Sequence, residues 1–175
     1  MMSRHKRQSR GDRIFRKWVL PILKNHYGGI WQSTSGTHLD YTYCIDWFFT
    51  CPEGIPYQVA SRSWQSKPKQ HFSVRYRKTS DPAQKVETQI MLDNLHQGKS
   101  FPDKTIEAFI YNGWVYIAVV DSKMLWKVIQ QMIDSKEKLS IFRLKEAVGH
   151  TEFIRVPFKR LPRAPQKIVA RAIGF

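Results

Sequence analysis

The chain has little cysteine, little acid and no long apolar run. Two cysteines in 175 residues, Cys44 and Cys51, cannot build a zinc knuckle on their own, and a reduced pair on or near a hairpin is expected. His38 with Asp40, His71, His96 and His150 show no zinc-ligand spacing. There is no Gly-rich phosphate loop and no serine-centred elbow, which removes the common nucleotide-binding and hydrolase signatures. No stretch approaches the length of a membrane span, and no apolar signal core follows the basic N-terminus. The sequence predicts a soluble chain, cytoplasmic or nucleoid-associated, with no membrane partner. Acids are the scarcest class relative to expectation: 14 Asp and Glu face 29 Lys and Arg, giving a formal charge of +15 and a pI near 10.0. That imbalance favours a polyanionic partner, of which nucleic acid is the commonest.

What is present is apolar material for one core, 42% hydrophobic and 13% aromatic residues, enough for a single domain at this length. The cations are clustered. One run covers the first seventeen residues and includes Arg10, Arg13 and Lys17. A second, free of acids, holds Arg62, Lys67, Lys69, Arg75, Arg77 and Lys78, and a third follows Glu152. A surface that neutralises several phosphates has this character, and its binding weakens steeply with salt. Trp64, ahead of "QSKPKQ", is the tryptophan assigned to that surface, because the others lie in apolar periodic runs that predict core packing.

The periodicity predicts a basic arm over 1–10, a domain over 11–156 and a basic tail over 157–175. Ile14, Phe15, Trp18, Val19, Ile22 and Leu23 have helical spacing over Gly11 to His26, with a kink at Pro21 and a stop at Gly28-Gly29. Strands are predicted at 41–50 and 55–64 around Pro52-Glu53-Gly54, and at "HFSVRYR", whose two faces are apolar and basic. A helix capped by Asp81 with Pro82 in its first turn follows. Next come two strands around Asn112-Gly113, the amphipathic helix "DSKMLWKVIQQMI" and a last strand "EFIRVPF". The fold class is α/β or α+β, a central mixed sheet flanked by helices.

One residue does not suit its strand. Asp46 sits among Ile45, Trp47, Phe48 and Phe49, and a buried carboxylate needs a positive partner, either a basic side chain such as Arg62 or a metal ion. The same stretch, "IDWFFTCPEGIPYQVAS" behind a helix, resembles the PD-(D/E)XK nuclease-like superfamily, whose fold is restriction-endonuclease-like. Asp46 matches the first acid, Gln58 the second and Ala60 the lysine, and the likeness runs from about Gly11 to Ile133. Arg62 lies on the same strand face as Gln58 and Ala60 and is the cation available in lysine's absence. It stays protonated, so it can position a water or steady a phosphate but cannot act as a base. The first helix lacks an internal acid; Asp12 at its start and Asp40 before the hairpin are the nearest substitutes. Glu107 is expected on a solvated strand face.

The resemblance implies a metal-dependent DNA endonuclease of the homing, junction-resolving or phage type. Mg²⁺ or Mn²⁺ would be held by Asp46, Gln58 and Asp40, with Asp46, Gln58 and Arg62 as the catalytic set. Duplex or branched DNA is the implied substrate, RNA the alternative, and a homo-oligomer the implied assembly. The rival expectation is a catalytically inactive nucleic-acid-binding protein that keeps the fold and works inside a larger nucleoprotein assembly.

Overall fold

The computed structural model describes residues 10–78, 86–145 and 149–174. The chain opens with α1 (Arg10–Ile14), a π-helical turn (Phe15–Val19) and α2 (Leu20–Tyr27). The kink expected at Pro21 takes this form: proline has no N–H for the carbonyl one turn back, and the helix widens just before it. Phe15, Val19 and Leu23 are fully buried on the sheet-facing side. Gly28 and Gly29 end the helix at φ 66° and 72°. A Cβ on Gly29 would stand 2.3 Å from the Thr50 carbonyl oxygen, so this turn admits only glycine.

The remaining elements, in chain order, are β1 (Ile30–Ser33), α3 (His38–Tyr43), β2 (Trp47–Thr50), β3 (Pro56–Trp64), β4 (His71–Lys78), α4 (Glu87–His96), β5 (Lys104–Tyr111), β6 (Trp114–Asp121), α5 (Ser122–Asp134), β7 (Ile141–Lys145), β8 (His150–Pro157) and β9 (Gln166–Arg171). Six strands form a mixed sheet in the order β1-β2-β3-β5-β6-β9, and β4-β8-β7 form a second sheet. In the larger sheet β3 and β5 are parallel, joined by a crossover that includes β4 and α4, and the other neighbours are antiparallel. This is the mixed, helix-flanked sheet the sequence predicts, with a small second sheet added.

Strand alternation divides the core in two. Trp47, Phe49, Val59, Ile106, Ala108, Ile110, Val115 and Ile117 face the N-terminal helices. Ala118 and Val120 face the other way, towards Phe72 and Val74 of β4, Ile154 and Val156 of β8, and Leu125, Trp126 and Ile129 of α5. Asp121 caps α5, its Oδ1 accepting from the Met124 N–H at 2.9 Å. Among the described residues no helix is long and apolar enough to cross a membrane.

Three expectations are corrected. The arm predicted as strand over 41–50 is helical up to Tyr43, and only Trp47–Thr50 is extended. Aromatic and β-branched residues in "YTYC" favour a strand, but α3 packs beneath α4, where Asn94 Nδ2 donates to the Thr42 carbonyl at 3.0 Å. The stretch set apart as a basic tail over 157–175 contains a strand of the larger sheet: β9 pairs with β6 from Trp114–Arg171 to Val119–Gln166 and buries Ile168. The basic-and-apolar strand at His71–Lys78 is present but belongs to the second sheet. The cap and first turn assigned to Asp81 and Pro82, and all of the arm before Arg10, lie outside the described residues.

Candidate functional site

The site begins where β2 ends. β2 pairs with β3 only from Trp47–Val59 to Thr50–Pro56, and on its N-terminal side the chain leaves the ladder through Asp46. The Asp46 N–H still donates to the Val59 carbonyl at 2.9 Å. The next β3 donor on this edge, the Ser61 N–H, is taken by the Asp46 side chain instead, Oδ2 accepting at 2.7 Å. A carboxylate therefore replaces a strand carbonyl, and the β3 edge beyond it is open.

That opening is the mouth of a cavity of about 670 Å³. One wall is the start of α1 with Arg10 and Asp12, another the turn before α3 with Ser35 and Gly36, together with Asp40 in the first turn of α3. The floor is Asp46 with Ser61 to Trp64, and the far wall comes from β4, α4, β7 and β8 through Arg75, Glu87, Leu144 and Phe153. Asp40 lies near the mouth, its Oδ2 accepting from the Gly36 N–H at 3.0 Å. Asp12 is ion-paired to Arg16 one helical turn on, at 2.9 Å.

Among the described residues Asp46 has no cation within ion-pair distance. Burial pushes its pKa up to about 7; the Ser61 hydrogen bond opposes the rise, the charges of Asp40 and Glu87 add to it, and Arg62 offsets part of it. Arg62 is not its ion-pair partner. The guanidinium binds Glu87 instead, Nη2 to Oε2 at 2.7 Å, and lies 5.1 Å from the centre of the Phe153 ring. Behind it, Glu107 is buried, not solvated as the strand pattern suggests, at 1% exposure. It accepts from Trp64 Nε1 at 2.7 Å and from the Ser73 N–H at 2.6 Å. Burial raises its pKa to about 7 against the pull of Arg62 and these two donors.

The cavity brings together Asp46, Asp40, Arg62, Arg10, Arg75 and Trp64 from the sequence-predicted set. Gln58 is not in its lining. It pairs with Phe48, one pair in from the Asp46 end of the short β2–β3 ladder, and its N–H donates to Asp103 Oδ2 at 2.7 Å. Ala60 is two residues nearer and, by register, opposite Asp46, so the residue that reaches the cavity two positions further on is Arg62. Arg77 is turned to Glu152. Lys67 approaches the Tyr111 ring at 5.9 Å, Lys69 lines a separate small cavity against Phe109 and Lys167, and Lys17 stacks on Trp18 at 4.5 Å. Arg13 is exposed on α1 and Lys78 ends β4, partly buried. Sequence reasoning missed Glu87. It arrives from 25 positions beyond its partner Arg62, and an acid in a first helical turn is too common to single it out.

Among the described residues no three His, Cys, Asp or Glu side chains are grouped closely enough to form a metal site. Comparison with protein-family models, curated proteins and solved structures finds no match for this chain.

Proposed function

We propose that the chain is a metal-dependent DNA endonuclease of the PD-(D/E)XK type, acting at the cavity beside β3. The observation that carries the reading is Asp46: a carboxylate without an ion-pair partner among the described residues, in an open cavity shared with Asp40, Glu87 and three arginines. It supplies oxygen donors in a place where burial, and after it the charges of Asp40 and Glu87, raise its pKa, and a hard cation relieves that repulsion. Mg²⁺ keeps several waters and needs only one or two carboxylates, so Asp46, with Asp40 nearest in charge, fits as its holder. The order of helix, antiparallel strands, crossover helix and parallel strand, with Asp46 at the head of β2, also supports the reading.

The bound ion would lower the pKa of an attacking water and stabilise phosphate charge. The chain's own residues do the rest. Ser61 fixes the Asp46 carboxylate from the backbone. Arg10 and Arg75 line the approach and attract the phosphodiester backbone. Ala60 stands where the resemblance expects the lysine and Arg62 cannot take a proton, so the water has to be deprotonated without a lysine base. Two copies, each cutting one strand, would complete a duplex break.

The test is cleavage of supercoiled, linear and four-way-junction DNA with Mg²⁺ or Mn²⁺, comparing the native chain with Asp46→Ala. Metal-dependent cutting lost in the variant is expected. Tight, salt-sensitive binding with no cutting under either metal overturns the endonuclease and leaves a nucleic-acid-binding protein.

A further inference from the structure

Arg62 is held more elaborately than a structural counter-ion requires. One terminal nitrogen, Nη2, is fixed by Glu87 of α4, Phe153 of β8 lies against the guanidinium, and Glu107 is its register partner on β5. Burial works against the charge, but Glu87, Glu107 and Asp46 together keep the pKa above its ordinary value. The other terminal nitrogen, Nη1, is buried and has no hydrogen-bond partner among the described residues. A buried guanidinium nitrogen left without an acceptor is costly, so its partner is to be sought outside the chain. Arginine's planar fork suits a phosphate, with one nitrogen anchored and the other left to bind.

We propose that Arg62 Nη1 is a direct phosphate contact for the nucleic-acid backbone in the β3 cavity, and that Glu87 is the positioning residue that aims it. The proposal rests on the endonuclease reading for its substrate, a phosphodiester of DNA. It extends that reading by assigning phosphate recognition to the arginine and its aim to a helix outside the hairpin. Glu107 stands beside Arg62 in the β3–β5 register and favours its charge, and the three-stranded sheet brings Phe153 against the guanidinium. The added sheet thus contributes to the site that the larger sheet builds.

The experiment measures affinity for a short labelled duplex in EDTA over a salt series, together with single-turnover cleavage in Mg²⁺ and Mn²⁺. Arg62→Gln is expected to reduce the slope of log affinity against log salt by about one, the signature of one lost phosphate contact. It is also expected to slow cleavage by about 100-fold, as for loss of a preorganised donor. Arg62→Lys should restore the slope and only part of the rate, because a lysine keeps the charge but not the fork. Removal of Arg62 alone leaves two acids unbalanced, so the double variant Arg62→Gln/Glu87→Gln is measured beside it, and circular dichroism shows whether each is folded. Glu87→Gln should keep the slope and the affinity while cleavage falls about 10-fold or more, a split that a purely structural role does not produce. An unchanged slope in a folded Arg62→Gln or double variant overturns the phosphate contact. Full cleavage in Glu87→Gln overturns its positioning role. If the native chain cuts under neither metal while the slope still falls by about one, the endonuclease reading fails and the phosphate contact stands.

Discussion

Replacement of Glu107 by glutamine should remove one of two acid titrations that make this fold less stable as pH rises. In the folded chain burial raises Glu107 from an ordinary 4.5 to about 7. Between those values the folded carboxyl keeps its proton while the unfolded one has lost it, so unfolding releases a proton. Stability contributed by this group is full below about pH 4.5 and is lost as pH rises through about 7. A shift of that size corresponds to about 3 kcal/mol, at 1.36 kcal/mol per unit. Asp46, raised from 3.8 to about 7 by its own burial, has the same sign, so the native chain carries both slopes and the variant only one. Glutamine keeps an oxygen for one of the two donors, Trp64 Nε1 and the Ser73 N–H. The lost acceptor costs about 1–3 kcal/mol at every pH and displaces the curve without tilting it. Urea unfolding followed by tryptophan fluorescence from about pH 4.5 to about pH 8 reads the tilt directly. The gap between native and variant should close by about 3 kcal/mol across that window. Two parallel curves would refute the reasoning, because they would mean that Glu107 ionises as readily in the fold as in the open chain.

Three further outcomes are expected. Glu152, 2% exposed and bound by both Arg77 and Arg143, is held below the usual carboxylate range chiefly by its Arg77 hydrogen bond. Glu152→Ala should therefore cost about 2 kcal/mol near neutrality, a loss that fades as pH falls below the ordinary carboxylate value and is measurable by thermal unfolding. Gly29→Ala meets a carbonyl at 2.3 Å from a positive-φ backbone and should destabilise by about 3 kcal/mol in urea titrations. Asp121→Ala removes the only side-chain cap of α5 among the described residues and should lower stability by about 1 kcal/mol by the same titration, with helix content retained.

Elements with strong local signals were legible in the sequence. The Asn112-Gly113 hairpin, the capped α5 and the N-terminal helix follow from turn chemistry and periodicity alone. Non-local choices were not. β9 lay hidden in a Pro-interrupted basic stretch because its place depends on the free edge of β6. α3 reads as a strand until α4 is packed on it. At the site, Asp46 stood out because a lone acid in an aromatic run contradicts its surroundings. Its match to Gln58 came from the resemblance, and the chain places Gln58 opposite Phe48 with its N–H on Asp103, outside the cavity lining. Glu107 looked solvated because alternation reports which face a residue takes and not whether a second sheet covers that face. Arg62 was one of two partners open to Asp46, the other a metal ion, and only the crossover that brings Glu87 beside the arginine takes it away.

The two rims of the large sheet carry unequal protection against edge pairing. β1 is only four residues long, whereas β9 offers a full ladder with Val169 55% exposed at its centre. Two copies meeting antiparallel about that valine would set Lys167 of one strand opposite Arg171 of the other, twice over on one face. Like charges directly opposed across a ladder repel, and lysine on an edge is a common bar to strand addition. The cations at this rim therefore oppose growth of the sheet, and any twofold assembly would have to be built away from β9.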